Sequence, residues 1–247
     1  MLKTTLIVFS LFFIIALMLP ADARTESTLQ QFKNDMDFFS TRFPSFEGTE
    51  QEQEIIAYIE ERLDALGVAY EKTDFDAVKI GHSFSRSVYV HFDNNKKDDL
   101  IVAAAINNRK SDTEAEAASV NLAIQLALAR YFNKTEVPYN IYLLFLGAEW
   151  GEQSYYPMGT EQFLERFYPE RTAAVLYLDF DSVPGQILAR CGDNGIVSPS
   201  WLIHRCSSAM ESAGIDFLIQ GNENQIFRLR SLDTPIVTGA YLEQGLP

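Results

Sequence analysis

Three apolar runs end in groups able to donate lone pairs or move protons. Leu100–Ile106 runs into Asn107-Asn108, Asn140–Leu146 into Gly147-Ala148-Glu149-Trp150, and Ala173–Leu178 into Asp179-Phe180-Asp181. If the runs are strands of one open α/β sheet, these side chains gather outside the carboxyl ends of the strands, where such sheets bind ligands. Carboxylates from two of those ends can converge on a metal ion, or one can act as a general base. The competing reading is that acidic residues end strands because the chain is emerging into water. H-E-x-x-H, G-x-S-x-G, the P-loop string and G-x-G-x-x-G are all missing, so serine hydrolase, nucleotide-binding and dinucleotide-binding chemistries have no local support.

The elements that would carry these groups alternate along the chain. Leu29, Phe32, Met36, Phe39 and Phe43 recur at helical spacing. Thr49-Glu50-Gln51-Glu52 is a capping box that opens a second helix, with Ile55, Ile56, Ile59, Leu63 and Leu66 on its apolar stripe and Gly67 as its stop. Val68–Phe75 and Ser87–Phe92 read as strands, and Leu100–Ile106 as a buried strand with almost no alternation. A second capping box, Ser111-Asp112-Thr113-Glu114, leads into an Ala/Leu-rich helix ending near Phe132. Asn140–Leu146 and Ala173–Leu178 are buried strands, Thr160–Phe167 and Pro199–Ala213 helices, and Pro235-Ile236-Val237 a late strand. Continuous apolar strands alternating with helices predict an α/β fold: a mixed, mostly parallel central sheet with helices on both faces. No repeat, low-complexity tract or linker divides the chain, so residues 24–247 are expected to form a single domain.

Residues 1–23 stand outside that fold. Lys3 precedes Leu6–Leu19, fourteen residues whose only polar member is Ser10, and Pro20 and Ala21-Asp22-Ala23 follow. A basic start, a short apolar core and a small-residue exit read as a secretory signal peptide. The run is short of the roughly 20 residues a spanning helix needs. Export to a periplasmic or extracellular space is expected, with an uncleaved membrane anchor as the alternative. A net charge of −14 disfavours nucleic acid as a partner. Export also permits a disulfide between Cys191 and Cys206, and two buried thiols remain the alternative. The three histidines, His82, His91 and His204, lie away from the strand ends and read as surface or half-buried structural residues. The stretch from Glu149 to Gly159 holds Tyr155, Tyr156, Pro157 and Met158, which could line a peptide groove or simply pack over the site.

From Thr41 to Val237 the chain resembles the co-catalytic zinc aminopeptidases, the metallopeptidase family (number twenty-eight) that includes bacterial leucyl aminopeptidases, glutaminyl cyclases and nicastrin. Gly48-Thr49 and Ala57-Tyr58-Ile59 are similar to the family's R-x-x-G-[ST] segment and following helix. Leu100–Ala105 is similar to the strand before its A-H-x-D, and Ala118-Ser119 with Leu128-Ala129-Arg130 to the helix after its D-N-A-S-G. Tyr142–Glu149 resembles the strand entering its A-E-E, Gly159-Thr160 and Phe163 its G-S-x-x-F, and Leu176–Asp179 its L-x-L-D. The resemblance implies a phosphorylase/aminopeptidase-like sandwich and a site assembled from these strings.

Carried over by position, most of the family's metal site is replaced. Ile106 stands where the first histidine ligand is expected, and Asn108 where the aspartate two residues later is expected. The bridging aspartate falls on Glu116 or Ala117. Glu149 keeps the general base, Trp150 replaces the next glutamate ligand, and Asp179 keeps the aspartate ligand. The last histidine comes from a segment that begins near Pro247. Zinc sites generally use at least three protein donors, with imidazole prominent among them. The resemblance thus leaves Glu149 as candidate catalytic residue and Asp179 and Glu116 as candidate metal ligands. It implies a protein that takes no cofactor and binds a peptide or a protein without cleaving it. An active zinc exopeptidase that removes N-terminal residues, with zinc as cofactor, is the alternative.

Overall fold

A computed structural model describes residues 26–77, 83–107, 115–149, 157–166, 172–180, 187–193, 196–220 and 236–246. Contacts group the chain into two units, Gln30–Ser182 and a second comprising Met1–Leu29 with Val183–Pro247. The leader, His82, the 111–114 capping box, Asn108, Trp150, Tyr155, Tyr156 and Asp181 lie outside the described residues.

Helix α1 (Glu26–Ser40), which belongs to the first unit from Gln30 onward, buries Phe32, Met36 and Phe39 at helical spacing, and Phe43 follows them into the core beyond the helix end. Helix α2 (Glu50–Leu66) begins and ends as its sequence specifies. Thr49 Oγ1 accepts the Glu52 N–H at 3.3 Å, and the Glu52 carboxylate reaches back to accept the Gly48 N–H at 2.7 Å. Ile55, Ile56, Ile59 and Leu63 are buried on its inner stripe, whereas Leu66 is half-buried. At the far end Gly67 adopts φ 66°, which lets the Val68 N–H reach the Leu63 carbonyl and the Gly67 N–H reach that of Asp64. A Cβ at Gly67 would meet nothing within 4 Å, so the left-handed backbone alone sets the cost of replacement. Gly67→Ala is expected to destabilise by about 1 kcal/mol and lower the melting temperature by roughly 2–4 °C, read by calorimetry.

The five-stranded sheet of this unit has the order β1-β2-β4-β3-β5. Its strands are β1 (Tyr70–Ala77), β2 (Ser83–Phe92), β3 (Asp99–Ala105), β4 (Asn140–Leu146) and β5 (Thr172–Leu178). β3 lies parallel to both β4 and β5, while β2 is antiparallel to β4 and to β1, so every strand except β2 runs in one direction. Register places Tyr89, Leu144, Ala103 and Tyr177 in one row across the sheet and Val90, Leu143, Val102 and Leu176 in the adjacent row, on the opposite face. On the first face Tyr89 meets Phe163 of α4 (Met158–Arg166) edge-on, ring centroids 5.6 Å apart. On the second, Phe92 meets Phe132 of α3 (Ala115–Phe132) at 6.0 Å. Both faces are thus covered, which is why β3 and β4 read as near-continuous apolar runs.

The second unit contains two small sheets. Strand β6 (Ile187–Arg190) pairs in parallel with β9 (Phe217–Gln220), and β7 (Gly192–Asp193) pairs antiparallel with β8 (Ile196–Val197). Helix α5 (Ser200–Ser212) matches the expected element to within a residue at each end. Of the expected strand Pro235-Ile236-Val237, Pro235 lies outside the described residues and Ile236-Val237 open a helix instead. Ile236–Glu243 is helix α6, which packs against the β7–β8 hairpin. The short β-branched run suggested a strand, but the decisive pattern lies further on. Val237, Tyr241 and Leu242 are buried at helical spacing, and Gly245 at φ 75° ends the turn with the Leu246 N–H on the Tyr241 carbonyl. Among the described residues no helix is long and apolar enough to cross a membrane.

Candidate functional site

The exit from β4 is a tight elbow built around two glycines. A Cβ on Gly147 would lie 2.3 Å from the Arg86 carbonyl oxygen, and one on Gly159 would lie 2.3 Å from the Gly147 carbonyl oxygen. Only glycine permits these approaches. The Gly147 N–H donates to Ser87 Oγ at 3.0 Å, and the Met158 N–H to the Ala148 carbonyl at 3.1 Å, so the first turn of α4 sits directly on the elbow. Ala148 is fully buried at φ 49°, a left-handed conformation uncommon for alanine. Its methyl packs with Phe75 and Met158. Met158 is therefore core, not part of an exposed groove wall.

Glu149 leaves this elbow pointing inward, with no solvent exposure. Its backbone N–H donates to Asn107 Oδ1 at 3.1 Å, which ties the end of β4 to the end of β3. Oε1 accepts the Thr160 N–H at 2.6 Å, and Oε2 accepts the Thr160 hydroxyl at 3.0 Å and the Tyr177 hydroxyl at 3.1 Å. Thr160 is the third residue of α4, so the carboxylate satisfies an otherwise unpaired N–H at a helix N-terminus, where negative charge is favoured. Burial pushes the Glu149 carboxyl up to about 7, against the pull of the Thr160 and Tyr177 hydrogen bonds and with a smaller push from Glu161. A second buried carboxyl, Glu52, is likewise raised by burial to about 7.

The other candidates are placed differently. Asp179 directly follows β5 and is exposed, and the neighbouring Phe180 N–H is held by Asn121 Oδ1 of α3 at 3.1 Å. Glu116 falls in the first turn of α3, and its side chain lies outside the described residues. Ile106 has no exposure, and its N–H continues the sheet by donating to the Leu146 carbonyl at 2.8 Å. The strand ends of β3, β4 and β5 therefore do meet at one end of the sheet, and the Tyr177–Glu149 bond connects two of them. Among the described residues no group of three or more His, Cys, Asp or Glu is placed to hold a metal ion. His91 is exposed and stacked on Tyr142 at 4.1 Å, and His204 is exposed on α5. Cys191 and Cys206 are half-buried free thiols, each pushed up by burial.

Residues 85–247, more than half of the chain, match the first domain of the family described as TP_0564. This chain belongs to the TP_0564 family. No curated protein matches this TP_0564 member in sequence. Its structure is similar to a leucine aminopeptidase precursor from Bacteroides thetaiotaomicron, with a TM-score of 0.58 at 16% identity over 85% of this chain and 83% of that one. It is also similar to an Acidobacteriales bacterium glutaminyl cyclase (TM-score 0.62, 16% identity, 88% and 76% covered). A Zn-dependent exopeptidase from Parabacteroides distasonis gives a TM-score of 0.58 at 14% identity over 84% and 81%. The TP_0564 member thus has the zinc aminopeptidase-like fold, the mixed α/β architecture that the strand and helix strings resemble.

Three residues that hold Glu149 in the TP_0564 member have no such role in the sequence reading: Asn107, Thr160 and Tyr177. Thr160 is the one with a local signal, because Gly159-Thr160 stands where a helix begins. Asn107 and Tyr177 are brought in only by strand register.

Proposed function

We propose that this protein is a non-catalytic member of the zinc aminopeptidase-like fold, exported through its N-terminal segment and acting by binding a peptide or a protein. The observation that carries this reading is the state of Glu149. Its carboxyl is unexposed and both oxygens already accept hydrogen bonds from Thr160 and Tyr177, whereas a general base must reach a substrate proton or its water. The donor chemistry points the same way. Ile106 has no lone pair, and the carboxylates that the described residues offer at that sheet end are the exposed Asp179 and the buried, already engaged Glu149, which do not fit a pair of zinc ions.

The similar solved structures include a leucine aminopeptidase precursor and a Zn-dependent exopeptidase, which favours the second reading, a working aminopeptidase in which Glu149 is released to act as base. Metal analysis of the purified full chain separates the two. The non-catalytic reading expects zinc well below one equivalent after dialysis and no release of arylamine from aminoacyl-arylamides. Firmly held stoichiometric zinc, with hydrolysis lost in Glu149→Gln and in chelator, overturns it.

A further inference from the structure

Glu52 has no solvent exposure and belongs to no ion pair among the described residues. Its carboxylate joins three separate segments. Oε2 accepts the Gly48 N–H at 2.7 Å from the loop before α2, and Oε1 accepts the Ser85 hydroxyl at 2.7 Å from β2. The Ala148 N–H of the β4 elbow is a third neighbouring donor, and like the other two it pulls the Glu52 carboxyl down. A capping-box glutamate needs only the first of these contacts. The other two connect a helix cap to the elbow from which Glu149 projects.

We propose that Glu52 is a proton-operated clasp on the β4 elbow, accepting from all three segments when ionised and reversing one contact when protonated. The reversal has a specific location. A protonated carboxyl must donate through one oxygen, and backbone N–H groups cannot accept, so of the three partners only the Ser85 hydroxyl can turn from donor to acceptor. The Gly48 and Ala148 contacts then lose their charge assistance. The surroundings set the range in which this occurs. Glu47, itself buried in the same loop, is a like-charged neighbour. Arg86 of β2 is committed to Asp74 and Glu60, and Glu149 beyond the elbow is turned to Thr160 and Tyr177. Burial is the largest influence on Glu52, the three hydrogen bonds oppose it, and Glu47 adds to the upward push. The clasp therefore works across neutral pH, and it does so whether the neighbouring site binds or cleaves.

Nuclear magnetic resonance on the full chain tests this, following the Glu carboxyl carbons and the Gly48 and Ala148 amides from pH 5 to 8.5. The expected result is a Glu52 carboxyl midpoint at about 7, with the Gly48 amide shift moving at the same midpoint. In Glu52→Gln the Gly48 step is lost while the Glu149 carboxyl still titrates. The proposal is overturned by a Glu52 midpoint in the ordinary carboxylate range near ~4.3, or by a Gly48 step that persists in Glu52→Gln. Should the variant not fold, the wild-type chain decides: coincident Glu52 and Gly48 midpoints support the clasp, and separate midpoints overturn it.

Discussion

Glu149→Ala is expected to lower the unfolding free energy by about 3 kcal/mol at pH 5, whereas Glu149→Gln costs less than about 1 kcal/mol there. Alanine leaves the Thr160 N–H, the Thr160 hydroxyl and the Tyr177 hydroxyl without their acceptor, and removes the capping group of α4. Glutamine keeps a carbonyl oxygen for the Thr160 N–H and offers an amide to the two hydroxyls, which can accept as well as donate. The two variants also separate through pH. A carboxyl raised from 4.5 to about 7 in the folded chain holds a proton there that the unfolded chain has already released. Its contribution to stability is complete below 4.5 and is lost as pH rises through about 7. The loss over that interval is of the order of a few kcal/mol. Glutamine cannot titrate, so Glu149→Gln is expected to overtake the wild type above neutral pH, while the Glu52 share of the pH slope remains in both. Urea unfolding at pH 5 and pH 8 reads this. Parallel pH profiles for wild type and Glu149→Gln would show that Glu149 has the same pKa folded and unfolded, and that burial does not raise it.

Local chemistry was legible in the sequence, and the site's connections were not. The ends of α2 could be read because Thr49, Glu52 and Gly67 act on backbone groups within a few residues of themselves. Strands β3 and β4 could be read because burial on both faces leaves runs with scarcely a polar residue. The partners of Glu149 lie 11, 28 and 42 positions away, and register, not spacing, brings Tyr177 and Asn107 alongside. Glu52 shows both sides of this. Its capping role is local, but the Ser85 contact spans 33 positions and has no pattern in the chain. The strand expected at α6 failed for another reason: the first residues suit a strand, and the stripe that makes the segment helical lies in its second turn.

Retention of the fold at 14–16% identity is physically ordinary, because a core tolerates wide substitution when volume and patterning are kept. Site chemistry has no such tolerance. Ile106 is buried at the end of β3, and its side chain has no lone pair to donate. The fold therefore carries little information about activity here, and a few side chains at one sheet end carry most of it.

Asp35→Ala is expected to be more damaging than Gly67→Ala and at least as damaging as Glu149→Ala, at roughly 3–5 kcal/mol. Asp35 of α1 is fully buried. Its Oδ2 lies 2.7 Å from Arg130 Nη2 of α3, its Oδ1 lies 3.2 Å from Arg62 Nε, and Oδ1 also accepts the Tyr58 hydroxyl at 2.8 Å. One carboxylate thus ties three helices together. Its removal strands the Arg130 guanidinium, whose side chain is only 9% exposed, whereas Arg62 at 28% can turn toward water. The damage comes mainly from an uncompensated buried charge, not from the lost attraction, because ion-pair formation in the interior barely offsets desolvation. A double-mutant cycle distinguishes these. Asp35→Leu with Arg130→Leu is expected to be more stable than Asp35→Leu alone, since the second substitution removes the charge that the first leaves stranded. Melting temperatures from calorimetry give the answer: if the double variant is no more stable than Asp35→Leu, no stranded charge was there to remove, and the three-helix contact depends on attraction after all.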